Sequence, residues 1–275
     1  MPELPEVETT LRGIRPHLEG RRIQDLVVRE PRLRLPIAPE TAAQVQGQRI
    51  QTLSRRSKYI LMGLERGTLI LHLGMSGSLR VVPTESPPRR HDHLDLILPD
   101  ARCLRFHDPR RFGIFLWTPD GPDMAQAEHA LLRSLGPEPL GDGFDGDYLY
   151  ASSRGRRVAV KSFIMDAAIV VGVGNIYANE SLFLAGIHPA RLCGRIGLAR
   201  YQRLAEVIRS VLLASITQGG TTLRDFVRED GQPGYFAQSL RVYGREGQPC
   251  RSCGEAIRQR RIGQRSSFYC SRCQH

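Results

Sequence analysis

Met1-Pro2-Glu3-Leu4-Pro5-Glu6-Val7-Glu8 begins the chain, and the stretch reads in two ways. Leu4, Val7, Leu11, Ile14 and Leu18 recur at helical spacing, so it predicts the first turn of an amphipathic helix. Proline at the start and carboxylates in the first turn are what a helix N-terminus favours in any case. The second reading is chemical. With Met1 removed, Pro2 presents a secondary amine at the chain end, and an α-amino group titrates near ~8 against ~10.4 for a lysine, so far more of it is unprotonated at neutral pH. Amines of this kind attack carbonyls and aldehyde-like carbons to give Schiff bases, with Glu3 and Glu6 as the neighbouring acids or bases. Capping by itself accounts for the acids, so the choice rests on the remainder of the chain.

Outward from this helix, Gly20 breaks the pattern and short β-rich runs follow: Arg22 to Val28, Arg49 to Leu53, Tyr59 to Leu64, Thr68 to Leu73, Leu79 to Val82, Leu94 to Leu98, Cys103 to His107 and Ile114 to Trp117. Glu65-Arg66-Gly67 and Pro99-Asp100 fall between adjacent runs as hairpin turns do. Many short strands with frequent turns predict an antiparallel sandwich or barrel, with the first helix packed on its edge. The strand signal stops between Pro119 and Pro139, where a helical piece runs from Met124 to Leu135. The Gly- and Asp-rich stretch Gly141 to Asp147 is the expected domain junction. Beyond it the chain reads as helical over Tyr148 to Ser153, Val160 to Asp166, Asn175 to Ala185 and Leu198 to Ser215. The Gly-, Thr- and Asp-rich Gly219 to Tyr235 reads as a loop, followed by a short polar segment with cysteines.

The bulk numbers narrow the class. A chain of 275 residues holds two modest domains. No apolar run approaches the ~20 residues that span a bilayer, and the charged start lacks a signal-peptide pattern, so a cytoplasmic protein is expected. A formal charge of +11 and a pI near 9.9 point to a polyanionic partner, most often nucleic acid. Of the 39 basic residues only Lys58 and Lys161 are lysine. Such sparing use means either that these two places need a compact ammonium that a planar guanidinium cannot replace or that two lysines survive by chance.

Four of the six cysteines are spaced Cys250-x2-Cys253-x16-Cys270-x2-Cys273. Two close pairs across a loop of this length predict a four-cysteine zinc site on a β-hairpin, closed to water and therefore structural. The intervening loop carries Arg258, Arg260, Arg261 and Arg265, which suits a hairpin presented to phosphates. Val171-Gly172-Val173-Gly174-Asn175 lacks the third glycine and the preceding strand of a dinucleotide loop. It reads instead as a turn feeding Asn175 into a helix start, either as a phosphate-binding terminus or as a plain N-cap. In the β-rich half, Lys58 follows Arg55 and Arg56 at a strand entry, His72 and Met75 flank a Leu73-Gly74 corner, and Asp108-Pro109-Arg110-Arg111-Phe112-Gly113 forms a tight turn. Apolar side chains at such tips can wedge into a base stack, although core packing is the default for Met75 and Phe112 taken singly.

Taken together, Pro2 to Thr9, the helix turn from Val171 to Glu180, Phe236-Ala237-Gln238 with Val242-Tyr243-Gly244-Arg245, and the four cysteines resemble the bacterial formamidopyrimidine-DNA glycosylase family from residue 2 to the last cysteine. The resemblance implies an α+β multidomain chain. An N-terminal catalytic helix plus antiparallel β-sandwich (1–130) and a linker (131–146) would precede a helix-two-turn-helix domain (147–238) with a lesion-recognition loop (219–235), then a zinc-finger hairpin (239–275). DNA would lie in the cleft between the halves. It implies Pro2 as Schiff-base nucleophile, Glu3 as proton donor and Glu6 as a positioning group. Lys58 and Arg265 would contact phosphates and donate protons in the eliminations. His72, Met75, Arg110, Phe112, Lys161 and Asn175 would meet DNA, the three of these at 75, 110 and 112 filling the gap left by an extruded nucleotide. Glu180 and Tyr243 would either border the site or belong to helix surface and core.

The implied activity is a bifunctional glycosylase and abasic-site lyase acting on 8-oxoguanine and formamidopyrimidines in duplex DNA by β,δ-elimination. It would work as a monomer with one structural zinc and no nucleotide cofactor, associated with the nucleoid. Two alternatives stand beside it: the sister glycosylase that prefers oxidised pyrimidines, whose start reads Pro-Glu-Gly-Pro-Glu where this chain has Leu4, and a non-catalytic zinc-hairpin protein that only binds damaged DNA.

Overall fold

In the computed structural model the described residues are 2–219 and 240–275. The described residues divide into two compact units, 2–133 with Gly219, and Ser134–Gln218 with 240–275. All but the first residue of the expected 219–235 loop, and the Phe236-Ala237-Gln238 motif, lie outside the described residues.

The first unit opens with α1 (Leu4–Leu18). Glu3 stands at its N-cap, and the Glu3 N–H donates to Glu6 Oε2 at 2.9 Å, the reach-back bond of a capping box. Val7, Leu11, Ile14 and Leu18 form its inner stripe, each at most 1% exposed. Burying a side chain of that size contributes about 1.5–3 kcal/mol, so apolar contact outweighs the cap in holding the helix. Eight strands follow: β1 (Asp25–Val28), β2 (Ile50–Arg56), β3 (Tyr59–Leu64), β4 (Thr68–His72), β5 (Ser78–Pro83), β6 (Asp92–Ile97), β7 (Arg102–His107) and β8 (Ile114–Thr118). They make two antiparallel sheets, ordered β2-β3-β4-β8 and β1-β6-β7-β5. Leu53, Ile60, Met62 and Leu71 of one sheet and Leu79, Leu94, Leu104 and Phe106 of the other share a core with the α1 stripe. The helix lies along the edge strands β2 and β5, one from each sheet. Three connections cross between the sheets, β1 to β2, β4 to β5 and β7 to β8, and the last two carry the Met75 corner and the Asp108–Gly113 turn.

Several local expectations shift. The first strand begins at Asp25, since Arg22 makes only an isolated bridge to Arg49. A short helix, α2 (Thr41–Val45), interrupts what reads as loop. The helical piece after the sheets is α3 (Pro122–Glu128): Gly121 caps it, Pro122 suits the first helical position, and it ends at His129 rather than near Leu135.

The second unit contains α4 (Gly146–Ser153), whose Tyr148 N–H donates to the N-cap Asp145 Oδ1 at 2.7 Å, then α5 (Val160–Ile164), α6 (Asn175–Leu184) and α7 (Leu198–Thr217). A two-stranded hairpin, β9 (Arg258–Ile262) with β10 (Arg265–Tyr269), completes it. Phe183 of α6 packs with Val242, Ile257 and Phe268, so the hairpin rests on that helix through a small apolar cluster.

Candidate functional site

Pro2 is buried ahead of α1, and Glu3 and Glu6 are each 2% exposed. Two buried carboxylates in one turn are costly unless hydrogen-bonded, and the Glu3 amide to Glu6 bond is one such partner. Glu8, one turn further along, takes Arg12 Nε at 2.8 Å and Arg55 Nε at 2.9 Å. Burial pushes the Glu8 carboxyl up, yet the two guanidiniums outweigh it and leave it below the usual range. Arg55 also donates to the Ser57 carbonyl at 2.9 Å, which ties the N-terminal half of α1 to the β2–β3 turn. Ser57 adopts φ 58 there, and Lys58 follows it half-buried.

His72 ends β4. Its Nδ1 accepts the Gly74 N–H at 2.9 Å and its ring lies 4.8 Å from that of Tyr59. Burial first, and the Lys58 and Arg34 charges second, push the imidazole down to about 4. The ring is therefore neutral at pH 7 with its proton on Nε2, a donor that adds no charge. Gly74 has φ +64, and a Cβ there would come within 2.5 Å of the Phe112 carbonyl carbon. Only glycine lets this corner meet the neighbouring turn backbone to backbone. Phe112 is 48% exposed, Met75 is half-buried and Arg110 is exposed with a guanidinium nitrogen 3.9 Å from Met75 Sδ. The three expected gap-filling residues thus sit side by side. With Arg34, His72 and Gly74, two of them (Met75 and Phe112) line a hollow of about 370 Å³. Sequence does not single out Arg34; nothing local distinguishes it from the other arginines.

In the second unit Asn175 is the first residue of α6 and Gly174 the N-cap, so the plain N-cap reading does not apply. Its Oδ1 is buried without a hydrogen-bond partner among the described residues. Arg265 is exposed at the start of β10. Lys161 differs from its expected contact with DNA: it is 1% exposed, and its Nζ donates to Ser266 O at 2.9 Å and Ser267 Oγ at 2.7 Å. The ammonium braces the strand that carries Arg265. Glu180 belongs to the interior, its carboxylate accepting the Arg241, Val242 and Tyr243 amides at 2.8, 2.9 and 2.9 Å. Tyr243 packs edge-on against Phe268 with centroids 5.1 Å apart.

The sulfurs of Cys250, Cys253, Cys270 and Cys273 lie within 4.8 Å of one another. Burial pushes the Cys270 and Cys273 thiols up, whereas at Cys250 burial is outweighed by the Ser252 and Cys253 backbone amides, which bring it down to about 7; four thiolates at this spacing need a cation among them. Four sulfur donors and no oxygen suit zinc, with every tetrahedral position taken.

Comparison with known proteins agrees along the whole chain. Residues 1–115 match the formamidopyrimidine-DNA glycosylase N-terminal domain, residues 135–227 the H2TH domain of the same enzymes, and residues 247–275 the zinc finger found in FPG and IleRS. The formamidopyrimidine-DNA glycosylases of Alcanivorax borkumensis and Acidithiobacillus ferrooxidans are 62% and 60% identical, each covering 100% of both chains. Among solved structures, the MutM (Fpg) protein of Thermus thermophilus superposes with a TM-score of 0.88 at 37% identity over 99% of this chain and 98% of that one. The Lactococcus lactis Fpg in complex with DNA containing an abasic site gives 0.91 at 30% identity over 99% of each.

Proposed function

This chain belongs to the formamidopyrimidine-DNA glycosylase family, and from that membership we propose how its residues divide the reaction. The protein is a DNA glycosylase of base excision repair acting on oxidised purines, with the lyase activity of its family. Pro2, freed of Met1, attacks C1′ of the extruded nucleotide. The new C–N bond forms as the bond from C1′ to the base breaks, and Glu3 delivers the proton that opens the sugar ring at its oxygen. The resulting iminium acidifies the C2′ hydrogens. Loss of one of them expels the 3′ phosphate, and a second elimination expels the 5′ phosphate, with Lys58 and Arg265 as phosphate contacts and proton donors. Glu6 holds the terminus through the Glu3 amide.

The observation that carries this assignment is the pair of buried carboxylates in the same turn as a proline at position 2. A capping box engages both carboxylates but does not require their burial; two held under the protein surface beside an amine suit acid–base chemistry. His72 as a neutral donor, Asn175 and the two cations would take the phosphates, and Met75, Arg110 and Phe112 would fill the stack. The four cysteines hold one structural zinc, whose closed thiolate shell keeps the hairpin folded and leaves no position for a reacting water.

DNA is the partner. A monomer without nucleotide cofactor suffices, since each chain carries one proline terminus. No helix among the described residues is long and apolar enough to cross a membrane, and a nucleoid-associated cytoplasmic location suits the substrate. The test is borohydride trapping on duplexes containing 8-oxoguanine, with thymine glycol for comparison. The adduct is expected on Pro2 with 8-oxoguanine preferred; an adduct on Lys58 or Lys161 would overturn the assignment, and a preference for thymine glycol would move the lesion class to pyrimidines.

A further inference from the structure

Asp108 is 0% exposed, and three donors converge on its carboxylate. Ser76 Oγ donates to Oδ1 at 2.9 Å, the Arg110 N–H donates to the same oxygen at 3.3 Å, and the Gly113 N–H donates to Oδ2 at 2.8 Å. The Arg110 bond, together with the Arg111 N–H to Asp108 O at 3.2 Å, belongs to the tight turn itself. The Gly113 bond closes that turn where the chain enters β8, and the Ser76 bond is the one from outside it, made 32 residues away on the β4–β5 connection. Each partner adjoins or is a gap-filling residue: Ser76 follows Met75, Gly113 follows Phe112, and the third amide is that of Arg110. Asp108 is itself fixed from behind. Its N–H donates to His91 O at 3.0 Å, and its carbonyl is 2.7 Å from His93 Nε2.

We infer that Asp108 is the positioning residue of the stack-filling group, its carboxylate locking the β4–β5 and β7–β8 connections together so that Met75, Arg110 and Phe112 are presented as one rigid wedge. The inference rests on the reading of those three residues as the wedge. A wedge offsets the few kcal/mol of unstacking only if it is rigid before DNA arrives. Aspartate suits the place because two oxygens that only accept can serve all three donors. An asparagine of the same shape must turn an NH2 toward one of them.

Three variants test this in the full-length zinc-loaded protein: Asp108→Asn, Ser76→Ala and Phe112→Ala. One readout is the fluorescence rise of 2-aminopurine placed beside 8-oxoguanine in a duplex, which reports unstacking. The second is the ratio of single-turnover 8-oxoguanine excision in the duplex to borohydride trapping on single-stranded DNA with a preformed abasic site, where no stack has to be opened. Asp108→Asn should lower that ratio by about tenfold, and Ser76→Ala, which removes one bond of the three, by about two- to threefold, each with a matching loss of 2-aminopurine signal. Ser76→Ala keeps the test decisive if Asp108→Asn fails to fold. Equal loss of both activities, or an unchanged ratio in Ser76→Ala and Asp108→Asn, would overturn the role of Asp108. If Phe112→Ala itself leaves the 2-aminopurine signal intact, the wedge reading falls and this inference with it; if Phe112→Ala abolishes the signal while Asp108→Asn does not, only the inference falls.

Discussion

Glu3 and Glu6 share a turn and a hydrogen bond, the proposed mechanism gives them different work, and an isosteric change at Glu3 tests its share. Glu3→Gln keeps the shape at the N-cap and removes the transferable proton. Excision of 8-oxoguanine should fall by at least ~100-fold while trapping at a preformed abasic site falls less, measured in parallel single-turnover assays. Pro2→Gly keeps an amine but makes it primary and flexible, so weaker cleavage with residual trapping is expected. Edman sequencing of the active protein should start at Pro2, because a retained Met1 would tie that nitrogen into an amide. At His72 the argument concerns stability. Its pKa is about 4 in the folded protein against 6.5 when unfolded, so between those values the unfolded chain binds more protons. This contribution is complete above pH 6.5 and is lost as pH falls toward 4, on the order of 2–3 kcal/mol. Urea unfolding of wild type and His72→Gln from pH 4 to 7 should show a shallower acid loss in the variant; parallel curves would refute the buried neutral ring.

At the level of elements, besides the apolar cluster on α6 the zinc hairpin has two polar anchors that single substitutions test. One is the metal. Cys253→Ser should lose zinc and DNA affinity together, and a metal-free variant by elemental analysis that keeps full affinity would contradict a structural role for the site. The other is Lys161 on α5, reaching Ser266 and Ser267 next to Arg265. Lys161→Met leaves a carbonyl and a hydroxyl without that donor, at a cost of about 1–3 kcal/mol. Amide hydrogen exchange across β9 and β10 should quicken, and Lys161→Arg should not restore it, since a planar fork does not fit where a compact ammonium does. Unchanged exchange in the methionine variant would remove Lys161 from this role.

For the molecule as a whole the governing quantity is charge. With a formal +11 and roughly four to six phosphates neutralised, log K for DNA should fall with log salt at a slope of about −4 to −5. Titration by fluorescence anisotropy between low and physiological salt checks it, and a slope near zero would contradict a phosphate grip by Lys58 and Arg265. Neutral His72 adds no counterion release, so the slope should be the same at pH 6 and pH 8.

Much of this protein is legible along the chain because the information is local. Strands such as Tyr59–Leu64 and turns such as Glu65-Arg66-Gly67 follow from patterns within a few residues, and the cysteine spacing defines a metal site since two short pairs can close one tetrahedron. The proline and glutamates of the first turn offered a chemistry that capping explained equally well, and the resemblance named the family. The sequence could not choose between sandwich and barrel, nor pair β1 with β6 or β4 with β8, because alternation marks a strand without marking its neighbour. It read Lys161 as a cation for DNA, and only its burial against Ser266 and Ser267, 105 and 106 residues away, turned it into a brace. It left Asp108 as one member of a turn, whereas folding brings Ser76, 32 residues away, to its carboxylate. Which polar group faces solvent and which one holds two distant segments together depends on long-range contacts that no local window contains, and that was decided by the tertiary structure.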